Sequence, residues 1–361
     1  MSGSLAISQP EGAFGRIEAW LREQGFFQPG GEDLVADLYL GYGLAETIRR
    51  RRGPAPPEPC PLPLAYVSVR DGTGAPHRPR TRTDRSRLEL GEWEQTWTAA
   101  EYGAAIDAVR DAISRGDVYQ VNLVQHLSAP FAGAPEQLAR SLADLQPLVP
   151  GLLEGDGWAI ASASPELFLS RRGSRVWTKP IKGTRPRGES AELALSSKDA
   201  AEHVMIVDLE RNDLSRVCEA GSVRWPELMT PLAAAGVEHL VSTVEGRLRE
   251  GVGLAELLEA TFPGGSVTGA PKIAAVDLIA QLEPVGRGAS MGALGWVRGN
   301  GDLELALTIR TFAVADGRIH LWVGGGIVWD SDPGEEVEES WTKAQPLLAR
   351  LGSAVPASVL R

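Results

Sequence analysis

Apolar side chains recur at helical spacing near the start of the chain. In residues 13–25, AFGRIEAWLREQG, Ile17, Trp20 and Leu21 fall on one face, which predicts a helix. A Pro-rich connector at 53–63, GPAPPEPCPLP, precedes an alternating run, LAYVSVRD, that reads as a strand. Residues 98–115 return to helical spacing. Thr98 and Glu101 make a capping-box pair at their start, and Gly116 is a stop. DVYQVNLVQHLSAPF then continues as a strand. Asn300-Gly301 and Asp316-Gly317 each lie between apolar runs and signal hairpin turns. Consecutive hairpins imply antiparallel pairing, so the fold class is α+β rather than a doubly wound parallel sheet. The basic stretch at 77–87 reads as an exposed loop, and the arginines at 49–52 as a solvated helix end.

Composition narrows the function classes. The chain has 361 residues, 43% of them hydrophobic, and a net charge of −11. That length can bury a large core without disulfides. The negative balance argues against general binding to nucleic acid or to membrane surfaces. The two cysteines, Cys60 and Cys218, form neither a disulfide framework nor a zinc-ligand set. No apolar stretch reaches the ~18 residues that a membrane span needs. The expectation is a soluble, cytoplasmic protein.

Acids and glycines supply the candidate chemistry. Asp199 and Glu202 in one helical segment, and Glu336 and Glu339 in another, are spaced i,i+3 and share a helix face. On an ordinary helix such pairs face water. Near two helix N-termini they also suit Mg²⁺, which takes oxygen ligands, few of them from protein. DLERND at 208–213 reads as a hydrogen-bonded junction that holds the acidic helix. TFPGGSVTGAPK is a glycine loop entering a helix near Pro271, and VGGGIV at 323–328 is a second glycine run after a strand. Each is an even choice between a turn and a ligand cradle. Lys182, in TKPIKGTRPRG, and His239, in GVEHLVSTVEGRL, are ordinary surface or structural residues when taken alone.

The order of these segments changes their weight. From about 90 to 350 the chain resembles the chorismate-utilising enzymes, which include anthranilate, aminodeoxychorismate, isochorismate and salicylate synthases. The resemblance lies in GDVYQVNL, SASPELFL, PIKGTRPRG, DAAEHVMIVDLERNDLSRV, HLVSTVEGRL, FPGGSVTGAPK, ALTIRTF, GGGIVWDSDP and EEVEESWTKA, in that order. It implies large antiparallel sheets in a sandwich flanked by helices. It also implies a chorismate-binding catalytic domain over 91–352, a shortened N-terminal region over 1–90 packing on it, and a tail at 353–361.

The same resemblance implies roles. Glu202 and Glu339 would bind Mg²⁺, supported by Asp199 and Glu336, and the metal would hold the ring carboxylate of chorismate. Arg310 and the Gly325-Gly326 backbone would hold the enolpyruvyl carboxylate, and Thr184 would face the substrate. His239 and Ser266 would stand near the C4 hydroxyl, with Glu166 as the acid that assists its loss. Asp199 and Ser266 replace a more usual Glu and Thr, and Ser290 stands where a tyrosine is common. Gln120 occupies the place of the water-activating lysine of the isochorismate and salicylate branches, which points to ammonia as nucleophile. Lys182 occupies the place of an alanine in anthranilate synthases and points to the aminodeoxychorismate branch. There the lysine amine adds at C2 before ammonia enters at C4. The resemblance further implies a glutamine amidotransferase subunit as ammonia source. The rival readings are the anthranilate branch and a non-catalytic chorismate-binding subunit.

Overall fold

The computed structural model describes residues 3–51, 53–70, 88–186, 197–234 and 237–353. Two antiparallel sheets dominate it. The ten-stranded sheet runs in the order β1 (Ser4–Ile7), β3 (Ala65–Arg70), β2 (Val35–Leu40), β15 (Ala293–Arg298), β16 (Leu303–Leu307), β9 (Leu167–Arg172), β10 (Arg175–Lys179), β13 (Val237–Arg247) and β11 (Ile181–Pro186). The strand β12 (Arg224–Ala234) also pairs with β13. The eight-stranded sheet runs β14 (Gly269–Ala270), β6 (Gln120–Ala132), β18 (Arg318–Ile327), β17 (Thr311–Ala315), β8 (Trp158–Ser162) and β7 (Leu152–Gly155). Two short strands, β4 (Glu89–Leu90) and β5 (Glu94–Gln95), add to β6. The antiparallel α+β architecture is the one the hairpin signals predict.

The described helices are α1 (Ala13–Glu23), α2 (Ala99–Ser114), α3 (Pro135–Leu142), α4 (Ser197–Ser215), α5 (Leu254–Thr261), α6 (Lys272–Leu282) and α7 (Pro333–Arg350). The capping box forms at α2: Thr98 Oγ1 accepts the Glu101 N–H at 3.2 Å, and the Glu101 carboxylate accepts the Thr98 N–H at 2.7 Å. Both hairpin turns form, with Gly301 at φ 89° and Asp316 and Gly317 at 49° and 70°. These left-handed values match the twist of the flanking strands.

Strand alternation divides the eight-stranded sheet between two cores. Phe312, Val314, Ile319 and Leu321 pack toward α3 and α7 with Trp341 and Leu348. Ala313, Ala315 and Trp322 belong to the larger core that also takes in the ten-stranded sheet, α1 and α2. The N-terminal region is part of this core. Its three strands extend the ten-stranded sheet, with β2 laid along β15 from Leu40↔Ala293 to Val35↔Arg298.

One expectation is corrected. Arg49 is not a solvated helix end: its side chain is 6% exposed and pairs with Glu46 at 2.6 Å. The next two backbone N–H groups, of Arg50 and Arg51, donate to Asp277 Oδ1 at 3.1 Å each. An acid on α6 thus draws the segment inward. The basic stretch at 77–87 and the end of the tail, 354–361, lie outside the described residues.

A buried histidine pair crosses the inner face of the eight-stranded sheet. His126 Nε2 and His320 Nδ1 are 3.0 Å apart, His126 Nδ1 meets Thr96 Oγ1 at 2.7 Å, and Trp322 packs on the His126 ring. Burial, followed by the neighbouring cationic charge, pushes His126 down to about 3 and His320 to about 4. An unfolded histidine takes its proton near ~6.5. Between these limits the unfolded chain binds more protons, so this stabilisation is complete above ~6.5 and is lost as the pH falls through the interval. The melting temperature is therefore expected to drop between pH ~6.5 and ~4.5, and less steeply in His320→Asn. Equal slopes in thermal melts of the two proteins would remove the pair as the cause.

Candidate active site

The turn that carries Lys182 is a β-bulge. Strand β11 pairs with β13 at Lys182↔Leu240 and resumes at Thr184↔His239, with the register shifting between them. Gly183 sits in the shift at φ 66°, a left-handed conformation that costs glycine nothing. A bulge re-aims the side chains beside it. Lys182 Nζ, half-buried, points to the Ser266 carbonyl at 3.5 Å. His239, across from Thr184, is buried, and its Nδ1 lies 3.3 Å from the Gly183 carbonyl.

Glu166 meets the same serine. It lies in the segment just before β9, with 4% of its surface exposed. Ser266 Oγ donates to Glu166 Oε1 at 2.7 Å, and the Ile181 N–H donates to the same oxygen at 3.3 Å. Burial raises the proton affinity of Glu166, while Lys182, these two donors and Arg310 pull it back. The result is a carboxyl in a dry site with cations at hand, the environment in which an acid can hold and release a proton. Burial pushes His239 down and the Arg310 charge adds to this, against the Gly183 carbonyl, so its imidazole is neutral at neutral pH. Burial also lowers Arg310, and Glu166 opposes the shift. Arg310 adopts φ 50°, uncommon for a residue with a side chain, and is tied down where its carbonyl accepts the Ala163 N–H at 3.0 Å.

A second group gathers around the glycine run of β18. A β-carbon on Gly325 would stand 3.2 Å from Lys343 Nζ, 3.4 Å from Glu336 Oε2 and 3.6 Å from Glu339 Oε1. Lys343 pairs with Glu339 at 2.6 Å and donates to the Gly324 carbonyl at 2.9 Å. Glu336 is buried and accepts from Ser331 Oγ at 2.6 Å. The bare backbone at Gly325 thus faces two carboxylates and an ammonium. Gly326 points the other way: a β-carbon there would fall 1.9 Å from Gln120 Nε2. Gln120 is therefore placed across β18 from the α7 carboxylates, and among the described residues its buried Oε1 finds no hydrogen-bond partner.

Of the acids expected to hold a metal, Glu336 and Glu339 come together and Glu202 lies on α4. The side chain of Asp199 is outside the described residues, as are those of Thr184 and Arg185 and the whole of Arg187. Among the described residues no set of three or more His, Cys, Asp or Glu side chains forms a metal-holding group. The chemistry of the donors nevertheless fits a hard cation: carboxylate oxygens, with a half-open position at Glu339. Ser290 is buried and donates to the Thr308 carbonyl at 3.3 Å. Neither cysteine is a poised nucleophile, since burial pushes Cys60 up to about 12 and Cys218 to about 11.

Sequence reasoning passed over two residue pairs here. Lys343 follows Glu339 by four on α7, so i,i+4 complementarity was the available signal there. Glu283 and Arg287 lie beyond the end of α6, where that spacing carries no signal. The Glu283–Arg287 pair is fully buried. Arg287 donates to Glu283 at 2.7 and 2.8 Å, to the Val267 carbonyl at 2.8 Å and to the Asn122 carbonyl at 2.6 Å. It ties the Ser266 turn to β6. DLERND is not a junction but part of α4 itself: Asp208 pairs with Arg211 within the helix at 2.5 Å, and Asp213 reaches out to pair with Lys272 at the start of α6.

The sequence profile of the chorismate binding enzymes matches residues 63–349. Anthranilate synthase component 1 of Streptomyces coelicolor is 41% identical over 276 residues, covering 74% of this chain and 54% of that protein. Aminodeoxychorismate synthase component 1 of Escherichia coli is 41% identical over 270 residues, covering 72% and 59%. The chain thus spans somewhat more than half the length of these curated relatives. The crystal structure of anthranilate synthase component I from Streptococcus pneumoniae superposes with a TM-score of 0.78 at 28% identity, covering 86% of this chain and 80% of that one. No described helix is long and apolar enough to cross a membrane.

Proposed function

Because the chain belongs to the chorismate binding enzyme family, we propose that it is an aminodeoxychorismate synthase component I, converting chorismate and ammonia to 4-amino-4-deoxychorismate without loss of pyruvate. Its relatives of equal identity carry both the anthranilate and the aminodeoxychorismate names, so the choice rests on this chain's own residues. The observation that supports it is Lys182 on the Gly183 bulge, its amine beside Ser266, which in turn bonds Glu166.

In this reading Lys182 Nζ acts as a neutral amine. It attacks C2 of the ring, both conjugated ring double bonds shift, and the C4 hydroxyl departs with the proton of Glu166 as water. Ammonia then attacks C4, the two double bonds shift back, and the C2–nitrogen bond breaks to return the lysine. One difficult displacement becomes two allylic steps. Ser266 orients Glu166, and His239 stays neutral near the departing hydroxyl. Arg310, Lys343 and the Gly325 backbone bind the carboxylates of the substrate. Glu202, Glu339, Asp199 and Glu336 would hold Mg²⁺, which supplies positive charge for the ring carboxylate. Gln120 offers no base to activate water. Ammonia would come from a glutamine amidotransferase subunit, in keeping with the component 1 names of the relatives.

Chorismate incubated with ammonium and Mg²⁺, with products resolved by mass, is expected to yield aminodeoxychorismate, and chelation with EDTA to stop its formation. Anthranilate with free pyruvate as the main product would place the chain in the other branch. No consumption of chorismate under any of these conditions would leave only a binding role.

A further inference from the structure

The proposed reaction leaves one buried carboxyl beside the site without a task. Glu210 lies on α4, 4% exposed, and its Oε1 accepts the Gly265 N–H at 2.9 Å. Gly265 opens the short turn Gly265–Val267. The helix backs onto that turn so closely that a β-carbon at Gly265 would stand 2.6 Å from Leu209 Cδ2 and 3.0 Å from Glu210 Oε1. The next residue is Ser266, which donates to Glu166. One turn further along α4, Asp213 grips the far end of the same segment through Lys272, which also donates to the Thr261 carbonyl at 3.0 Å. The helix α4 therefore fixes this loop at both ends, and Glu210 holds the end that bears on the acid.

We propose that Glu210 is a positioning residue for Glu166: through the Gly265 N–H it holds the turn from which Ser266 reaches Glu166, and of the two carboxyls it keeps its proton while Glu166 exchanges one. The proposal rests on the reaction assigned above for what the Glu166 proton does. Its physical basis is that two ionised carboxylates in one water-poor site repel each other. The surroundings separate the two. Glu166 has Lys182 and Arg310 near it. The charged groups facing Glu210 are Asp213 from its own helix, Lys272 from α6 and Glu166 from the segment before β9. Burial raises Glu210 most and Asp213 adds to it, Lys272 and the Gly265 N–H pull it back, and Glu166 raises it again, to about 8. Below that pH Glu210 is neutral, and Glu166 can become a carboxylate when it gives up its proton. Above it, the Glu210 charge disfavours that carboxylate, so turnover declines as the pH rises through about 8.

Glu210→Gln retains an acceptor for the Gly265 N–H and cannot ionise. Two measurements compare it with the unsubstituted protein between pH ~6.5 and ~9.5: kcat for chorismate consumption, and an infrared titration of protonated carboxyl groups without substrate. In the unsubstituted protein we expect kcat to fall at least ~3-fold through the alkaline range, together with loss of a carboxyl band. In Glu210→Gln that band is expected to be absent and the alkaline limb to move up by ~1 pH unit or more. Glu210→Leu, with no acceptor, is expected to lower kcat by ~10-fold or more, a loss that glutamine avoids. Persistence of both the band and the alkaline limb in Glu210→Gln would overturn the proposal. If the unsubstituted protein consumes no chorismate, the reaction assignment fails by itself. The infrared titration needs no turnover, and it still decides whether Glu210 keeps its proton.

Discussion

Lys182→Ala is expected to abolish the covalent adduct with chorismate and to cut aminodeoxychorismate formation by at least ~10²-fold, a loss of ~3 kcal/mol or more in transition-state stabilisation. The reasoning begins with the backbone. The bulge depends on Gly183 at φ 66° and on the β11–β13 register, neither of which needs the lysine side chain. Among the described residues the hydrogen bond lost, from Nζ to the Ser266 carbonyl, is long at 3.5 Å. The fold should therefore survive, and the loss should be chemical. Intact-protein mass spectrometry of the enzyme trapped during turnover reads the adduct, and steady-state rates read the loss. Kinetics unchanged from those of the unsubstituted protein would remove Lys182 as nucleophile. An adduct persisting in the alanine variant would assign it to another group.

Arg287→Ala is expected to destabilise the protein by ~3–5 kcal/mol. Arg287 and Glu283 have side chains 1% and 3% exposed. Removing the guanidinium strands the Glu283 carboxylate in the core, along with the Val267 and Asn122 carbonyls it now satisfies. It also takes the cation from the face of Tyr42, 4.4 Å from the ring centroid. The double variant Glu283→Leu with Arg287→Met should be less destabilised than the single one, because it leaves no unpaired charge behind. Chemical denaturation of the three proteins tests this. A single-variant loss below ~1 kcal/mol, or a double variant worse than the single, would show that the pair is not the tether described.

The contrast between these two residues shows what was legible beforehand. Lys182 sits in a contiguous segment, and the turn around it is written in a glycine whose conformation local sterics dictate. The same holds for the Thr98–Glu101 cap and the Asn300-Gly301 and Asp316-Gly317 hairpins. The cap and the two hairpins are decided within a few residues, so composition and spacing are enough to find them, whereas Lys182 stands out only through the resemblance of its segment to the family. Arg287 draws its meaning from Val267, 20 residues back, and Asn122, 165 residues back, and no local pattern announces that a charge will be buried there. Arg49 was misread for the same reason: Asp277, which draws its segment in, comes more than two hundred residues later. Glu210 had a visible environment in DLERND, but its neighbour Gly265 arrives only through tertiary packing. Strand β1, four residues long, is too short for its alternation to stand out.

The place of β2 in the larger sheet has a consequence for how the chain is made. Its partner on one side is β3, available almost at once, but on the other it is β15, so Leu40 pairs with Ala293. At roughly 5–20 residues per second, ribosomes take roughly 10–50 s to span that interval. During this time β2 keeps one edge open, with Leu38 and Leu40 lacking the core they will join. The nascent N-terminal hairpin is thus a target for holding chaperones and for misassociation between growing chains. Slowing elongation between β3 and β15 should lower the yield of folded protein more than slowing it after β18.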